Sequence, residues 1–509
     1  MNVVLIMVRV GILIILALML NTALGYENKV DSLILLAITI FCLKSMNIGR
    51  WVFVFIVLVS ALYIPVSLNY GHPNLTIISA LSETNVSEAI EFAKDTDWLA
   101  ILIAILFTGS TLFLFHFVPK VSSKKLNIFL AVVFSFLLFD KPIRTMIDRK
   151  VSDDYVYKTI SYMRYAPARF IFDWYDSYDK YHEYNKQIRS QREVASTWII
   201  TKENDVPQNT ILVIGESVRK DYMNAYGFEA NNTPFMSHSV GQLWLDFLSA
   251  GPNTFTSVMR FITLGDGINI ELNNNINTLA STAGIETYWI SNQGRMGEFD
   301  TGISMIASYA DNLSFTRSGS FRDSNVYDSA LLPEVRSALS ENQNSKLIVV
   351  HLIGSHPGFC DRVEGDVDFS FNGSKISCYI QSIKQTDSLL SNINDYAKQQ
   401  PIDYNLIYLS DHGLGHREGG KNLRHDPLVK QAYEVPLFIT GSNFDERHIM
   451  TPRRNGFSVL KGISEVMGIS TVKLDKMSSF FSEVDDKAIV NNGEGEIVDF
   501  QSLNEDPIK

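Results

Sequence analysis

Apolar residues follow two different rhythms along this chain. Up to Phe139 they come in long, almost unbroken runs; beyond Val206 they come in short blocks separated by polar stretches with helical spacing. The long runs are Val3 to Leu24, Leu33 to Ile48, Trp51 to Leu68, Trp98 to Val118 and Leu126 to Phe139. A helix needs about 20 apolar residues to cross a bilayer, with about 17 tolerated. Five spans are therefore expected, the second interrupted by Lys44 and the fifth short. The first also ends in a small-x-small site at Ala23 to Gly25 and reads equally as a cleaved signal sequence. Five spans with the N-terminus inside, or four with it outside, both put the C-terminal part outside. Arg9, Lys44, Arg50, Lys120, Lys124 and Lys125 fall on the inner side of this topology, and Glu83, Glu88, Glu91, Asp95 and Asp97 on an external loop. Lys141, Arg144, Arg149 and Lys150 run against the pattern.

Residues 141–205 are rich in aromatic and charged residues, as in "YAPARFIFDWYDSYDKYHEY", a composition that suits linker helices at the lipid headgroups. After them the short apolar blocks read as strands buried on both faces: Thr210 to Gly215, Glu286 to Ser291, Lys346 to Gly354, Tyr404 to Ser410 and Val435 to Gly441. Intervening stretches such as Ser374 to Lys398 have helical spacing. The expected architecture is an α-helical membrane domain over 1–140, interfacial linker helices over 141–205, and an α/β domain over 206–509 with a mostly parallel, helix-covered sheet.

Composition narrows the function. A net charge of -11 with no basic stripe excludes a nucleic-acid partner. Three cysteines are too few for a disulfide scaffold; Cys42 lies in an apolar run, while Cys360 and Cys378 can pair if their domain faces an oxidising compartment.

In parallel sheets, ligands gather beyond the carboxyl ends of the strands. Here Glu216 ends one strand, Gly354 to His356 a second and Ser410 to Gly413 a third. Glu216, Asp411 and His412 offer two carboxylates and an imidazole, a ligand set for a divalent cation. The segment "GPNTFTSVMR" supplies Thr254, Thr256 and Ser257 as hydroxyl nucleophiles. An unaided threonine is a poor nucleophile, but a metal lowers the pKa of a bound oxygen steeply, from about 15.7 to about 7 for water.

The motifs "GESVRKDYMNAYGFEANNTPFM", "NTFTS", "VVHLIGSHPGF", "YLSDHG" and "RHDP", in that order, resemble those of the membrane-bound phosphoethanolamine transferases of the sulfatase/alkaline phosphatase superfamily. The resemblance runs over essentially the whole chain and implies a five-span membrane domain, an interfacial linker and a periplasmic catalytic domain in the bacterial inner membrane. Carried over residue by residue, it implies Glu216, Thr256, Asp411 and His412 as metal ligands. Thr256 is preferred to Thr254 because it lies about 40 residues beyond Glu216 and is followed four residues later by Arg260. His356 and His425 match further active-site histidines, His351 supports the same region, and Asn292 or Arg295 is expected to contact the phosphate. Zinc is the implied metal, with manganese also suited to the donor set.

The implied reaction is ping-pong. Thr256 attacks the phosphorus of phosphatidylethanolamine and expels diacylglycerol. An envelope glycolipid or glycan, lipopolysaccharide foremost, then takes the phosphoethanolamine from a phospho-threonine. A monomer suffices. Two departures stand out: Leu414 replaces the acid of the D-H-G-E-S motif of lipid A-modifying members, and only the Cys360–Cys378 pair remains of several. The first leaves a second metal site open. A phosphoglycerol transferase using phosphatidylglycerol is the alternative chemistry, and an inactive membrane-anchored binding protein the alternative class. A sulfatase is disfavoured, because position 256 is neither Cys nor Ser and Val258 stands where its modification motif needs Pro or Ala.

Overall fold

The computed structural model describes residues 2–83, 98–120, 123–148, 164–191, 194–202, 208–293, 302–316 and 326–508. Arg295 and the acidic loop residues beyond Glu83 lie outside them. The chain forms two compact units, residues 1–81 with 92–182, and residues 82–91 with 183–509.

The first unit is helical. Its apolar runs form α1 (Asn2–Ala23), α2 (Val30–Ser45), α3 (Gly49–Tyr70), α4 (Trp98–His116) and α5 (Lys124–Asp148), followed by α6 (Ala166–Gln191). Five membrane-type helices were expected; by length and composition, three of those described can cross a bilayer: α1, α3 and α4. α2 has 16 residues, about 24 Å at 1.5 Å per residue, short of a hydrocarbon core of about 30 Å. In α5 the apolar stretch is confined to Ile128–Asp140. Leu16, Leu20, Leu36, Ile40, Phe53, Val57, Phe107 and Phe115 pack between the helices, with Phe53 stacked on Phe115 at 4.0 Å. Outward-facing positions are just as apolar, Leu62 and Trp98 being 82% and 71% exposed, which suits a lipid surround. Lys44, the charge that interrupts the second run, caps α4: its Nζ donates to the carbonyls of Phe115 and His116 at 2.8 and 3.2 Å.

The second unit is built on an eight-stranded sheet. In chain order its strands are β1 (Gln208–Gly215), β2 (Gly241–Trp244), β3 (Glu286–Ser291), β4 (Asn312–Phe315), β5 (Lys346–His351), β6 (Asp403–Ser410), β7 (Leu437–Gly441) and β8 (Arg447–Met450). Their spatial order is β8-β2-β7-β6-β1-β5-β3-β4. β7 pairs antiparallel with both β6 and β2, while the other pairings are parallel. An unbroken apolar run reports burial on both faces but not direction, so the reversal of β7 was not readable beforehand. β2, β4 and β8, of four residues each, were too short to signal themselves. β1 and β5 are buried throughout, and α8 (Ser374–Lys398) packs its apolar side into the same core.

Register is what makes the site. Gly215 pairs with Ser410, while Ile214 and Ser291 both pair with His351. The central strands β1, β3, β5 and β6 therefore end at nearly one level. A disulfide between Cys360 and Cys378, 18 residues apart, ties the segment after His356 to α8.

Candidate metal and nucleophile site

Glu216 leaves β1 completely buried. The next residue, Ser217, adopts φ 62, a left-handed conformation that costs a non-glycine residue about 1–2 kcal/mol and needs support. The support comes from neighbouring elements. Its N–H donates to Asp411 Oδ1 at 3.0 Å, and Tyr379 Oη on α8 donates to its carbonyl at 2.8 Å. The Ser217 hydroxyl in turn donates to Glu216 Oε1 at 2.5 Å. Across this turn lies Gly354, at φ +47, where a Cβ would come within 3.0 Å of the Glu216 nitrogen; a side chain there would push the ligand loop away.

Asp411 and His412 follow β6 and are also fully buried. His412 Nδ1 is 2.7 Å from the Gly413 carbonyl, so this nitrogen carries the proton and donates. Nε2 then faces the carboxylates, 3.2 Å from Glu216 Oε1 and 3.5 Å from Asp411 Oδ2. An imidazole fixed through one nitrogen by a backbone carbonyl and open at the other is the usual presentation of a metal-ligating histidine. Asp411 Oδ2 is buried with no hydrogen-bond donor. The three ligand atoms lie within 4.8 Å of one another.

The electrostatics say the same. Burial, then the neighbouring Glu216 charge, push Asp411 up to about 7. Burial opposes the charged form of His412, but Asp411 and Glu216 overcome it and raise the imidazole to about 9. Glu216 feels the same burial, yet the hydrogen bond and charge of His412 hold it below the usual carboxylate range. Two acids crowded around one imidazole hold a proton where a cation would serve. The donor set and its spacing fit a divalent metal such as zinc or manganese.

The hydroxyl beside these acids belongs to Thr254. α7 (Thr254–Ile262) is N-capped by Asn253, whose side chain accepts from the Thr256 N–H at 2.9 Å. Thr254, the first helical residue, donates from Oγ1 to Glu216 Oε2 at 2.9 Å and lies 3.4 Å from His412 Nε2. Thr256, the expected ligand and nucleophile, faces elsewhere. Two residues along a helix are about 200° apart, so only one of the two threonines can face Glu216. The Thr256 methyl packs toward Gly251 instead. Arg260, which had favoured Thr256, donates to the Gly267 and Thr256 carbonyls and braces its own helix.

Asn292 also departs from expectation. Its amide nitrogen donates to the Val326 carbonyl and Asp328 Oδ1, and its oxygen accepts from Thr316, so the side chain is used structurally. The neighbouring Gln293 reaches Glu216 Oε2 at 3.3 Å while holding the Leu352 carbonyl at 2.8 Å. His425 lies beside His412 with ring centroids 4.8 Å apart and its Nδ1 3.4 Å from the Pro252 carbonyl. His356 sits after β5, near enough for Glu216 and His412 to affect its titration. Burial depresses His356 to about 4 and His425 to about 3, so both are neutral imidazoles. His351, at the end of β5, is buried against Trp289 with Nε2 unpartnered, and burial lowers it to about 4. Leu414 is fully buried in the apolar core.

Residues 208–469 match the Sulfatase family model. The chain is 31% identical over 459 residues to the phosphoethanolamine transferase OpgE of Escherichia coli, covering 88% of this chain and 86% of that one. It is 31% identical over 405 residues to a putative phosphoethanolamine transferase of Haemophilus influenzae, covering 76% and 79%. Among solved structures it superposes on the integral membrane phosphoethanolamine transferase EptA of Neisseria meningitidis with TM-score 0.58 at 15% identity, over 90% of this chain and 96% of that one. The zinc complex of the E. coli EptC periplasmic domain matches with TM-score 0.54 at 19% identity, over 61% and 96%. With its membrane-type helices, its parallel sheet and this extent of similarity, the chain belongs to the membrane phosphoethanolamine transferases of the sulfatase/alkaline phosphatase superfamily.

Proposed function

We propose that this protein transfers phosphoethanolamine from phosphatidylethanolamine to an envelope glycolipid or glycan, with Thr254 as the nucleophile. The observation that carries this reading is the Thr254 hydroxyl, 2.9 Å from Glu216 and at the first position of a helix, beside the free nitrogen of His412. Glu216, Asp411, His412 and Thr254 would hold the metal. When bound, it supplies the positive charge that lowers the pKa of the hydroxyl and offsets charge on the phosphoryl oxygens.

In the first half-reaction Thr254 Oγ forms a bond to phosphorus and the bond from phosphorus to the diacylglycerol oxygen breaks. The threonine proton leaves along the hydrogen bond to Glu216. The anionic phosphate raises the pKa of the neutral His356 and His425, and one of them delivers a proton to the departing oxygen. Gln293 donates its amide hydrogens to Glu216 and the Leu352 carbonyl and so holds the carboxylate in place. In the second half-reaction an acceptor hydroxyl or phosphate oxygen bonds to phosphorus and the bond from phosphorus to Thr254 Oγ breaks; Oγ takes back the proton left at Glu216, and a hydroxyl acceptor gives its own proton to the histidine that was left neutral. The helix N-terminus behind Thr254 favours the negative charge throughout. The apolar helices seat the enzyme in the bacterial inner membrane with this unit on the periplasmic side, where donor lipid is concentrated in two dimensions.

Incubating the purified protein with phosphatidylethanolamine and mapping the modified residue by mass spectrometry tests the reading. Phosphoethanolamine on Thr254 is expected, with diacylglycerol released. Consumption of phosphatidylglycerol alone would move the assignment to a phosphoglycerol transferase.

A further inference from the structure

The loops that carry the site converge on one segment that the chemistry above leaves unused, the strap 503–508. Arg219, three residues after Glu216, is completely buried. Its Nη1 donates to the Leu414 carbonyl, two residues beyond His412, at 3.2 Å and to Asp506 Oδ2 at 3.0 Å. Its Nη2 donates to the Asp506 carbonyl at 2.7 Å, and Asp221 takes the remaining face of the guanidinium. The same Asp506 Oδ2 accepts from the His416 backbone N–H at 2.7 Å and lies 3.0 Å from His416 Nδ1. His416 Nε2 is 2.8 Å from Tyr222 Oη, which closes the knot on the Glu216 side. One carboxylate oxygen thus fastens the turn after Glu216 to the turn after His412.

The strap is sewn to a third loop as well. Lys430 N–H donates to the Asn504 carbonyl at 2.9 Å, Asn504 N–H to the Leu428 carbonyl at 3.0 Å, and Asp506 N–H to Gln431 Oε1 at 2.7 Å. This is the loop that follows His425, and its Ala432 carbonyl accepts the N–H of Gly413, next to His412, at 2.8 Å.

We infer that Asp506 is a positioning residue for the metal site, setting the distance between the Glu216 carboxylate and the His412 imidazole. The physical need is plain. Sheet register fixes Gly215 and Ser410, but the ligands lie one and two residues beyond, on loops that two buried like charges push apart. A cross-tie outside the ligand shell holds them, as hydrogen-bonded supports do in other metal sites. This inference rests on the metal reading of Glu216, Asp411 and His412.

The test uses the purified full-length protein, stripped of metal and titrated with zinc against a chromophoric chelator. Asp506→Asn, nearly isosteric, is expected to weaken zinc binding about 10- to 100-fold. Excess zinc should restore most of the turnover, with the Michaelis constant for donor lipid unchanged. Glu505→Gln, on the same strap but 63% exposed, should bind zinc as the parent does. Zinc affinity in Asp506→Asn equal to the parent's, or a lowered melting temperature with no change in zinc affinity, overturns the inference. Should Asp506→Asn fail to fold, His416→Gln reads the same knot, since it removes the imidazole and keeps the backbone N–H; it too should weaken zinc, and parental affinity there counts against the inference. The titration needs no lipid. A parent that binds zinc but forms no phospho-threonine would defeat the proposed reaction and leave the role of Asp506 standing.

Discussion

Both units bury carboxylates, and Asp173 in one is used in the opposite way to Glu216 and Asp411 in the other. In the helical unit Asp173 on α6 accepts from Tyr26 Oη at 2.7 Å, and Arg169 lies 3.6 Å from the acid and 4.6 Å from the Tyr26 ring centre. One acid, one base and one hydroxyl close on themselves, and their product is α6 fastened to α1 and its following turn. In the α/β unit Glu216 and Asp411 share one imidazole, and Asp411 Oδ2 has no donor. The lesson is about balance more than burial. A buried acid that is paired and hydrogen-bonded stabilises a fold, whereas a surplus of acids in a confined space stores an affinity for a cation.

Removing the proposed nucleophile should break this comparison most visibly. Thr254→Ala is expected to abolish the phospho-threonine and lower turnover roughly 10⁴-fold or more, while Thr256→Val keeps most of the activity. Mass spectrometry and diacylglycerol release check both, and an active Thr254→Ala would undo the assignment. Glu216→Gln removes one of the two acids and should weaken zinc by more than the about 100-fold typical of a lost supporting contact. Because Asp411 at about 7 and His412 at about 9 hold protons that a metal must displace, zinc affinity should rise with pH. Titrations at pH 6 and pH 8 are expected to differ by at least tenfold, tighter at pH 8; a flat profile would mean the ligands are already deprotonated.

Smaller effects belong to the scaffold. Replacing Cys360 and Cys378 by serine opens an 18-residue separation and should cost about 3 kcal/mol, read as a lower melting temperature that the parent reproduces under reducing conditions. Asp173→Asn keeps the shape but weakens the bond to Tyr26 and the pairing with Arg169. It should destabilise the helical unit by about 1–3 kcal/mol and leave zinc affinity untouched. A change in zinc affinity there would blur the division between structural and ligand-binding acids.

Much of this was legible in the chain. Continuous apolar blocks marked β1, β3, β5, β6 and β7, and polar residues at their ends marked Glu216, His356, Asp411 and His412. Distance along the chain favours Thr256, whereas helix phase brings Thr254 to Glu216. Asn253 is a capping residue, and reading it as such places the helix start at Thr254 and turns Thr256 away. Asn292 and Gln293 are neighbouring amides that look alike in the sequence, and only their hydrogen bonds separate the one held by Asp328 from the one that reaches Glu216.

By itself the sequence determined two surroundings and one set of side chains: runs of apolar residues long enough for lipid, blocks short enough for a buried sheet, and carboxylates, an imidazole and hydroxyls of metal-ligand type at the strand ends. Only the tertiary structure decided which threonine meets the acids, that β7 runs backwards, and that Asp506, nearly 300 residues from Arg219, knots the ligand loops together. Periodicity is a property of neighbours and survives in one dimension. Which side of a helix faces a carboxylate, and what braces a loop from behind, are distances that exist only once the sheet has set its register.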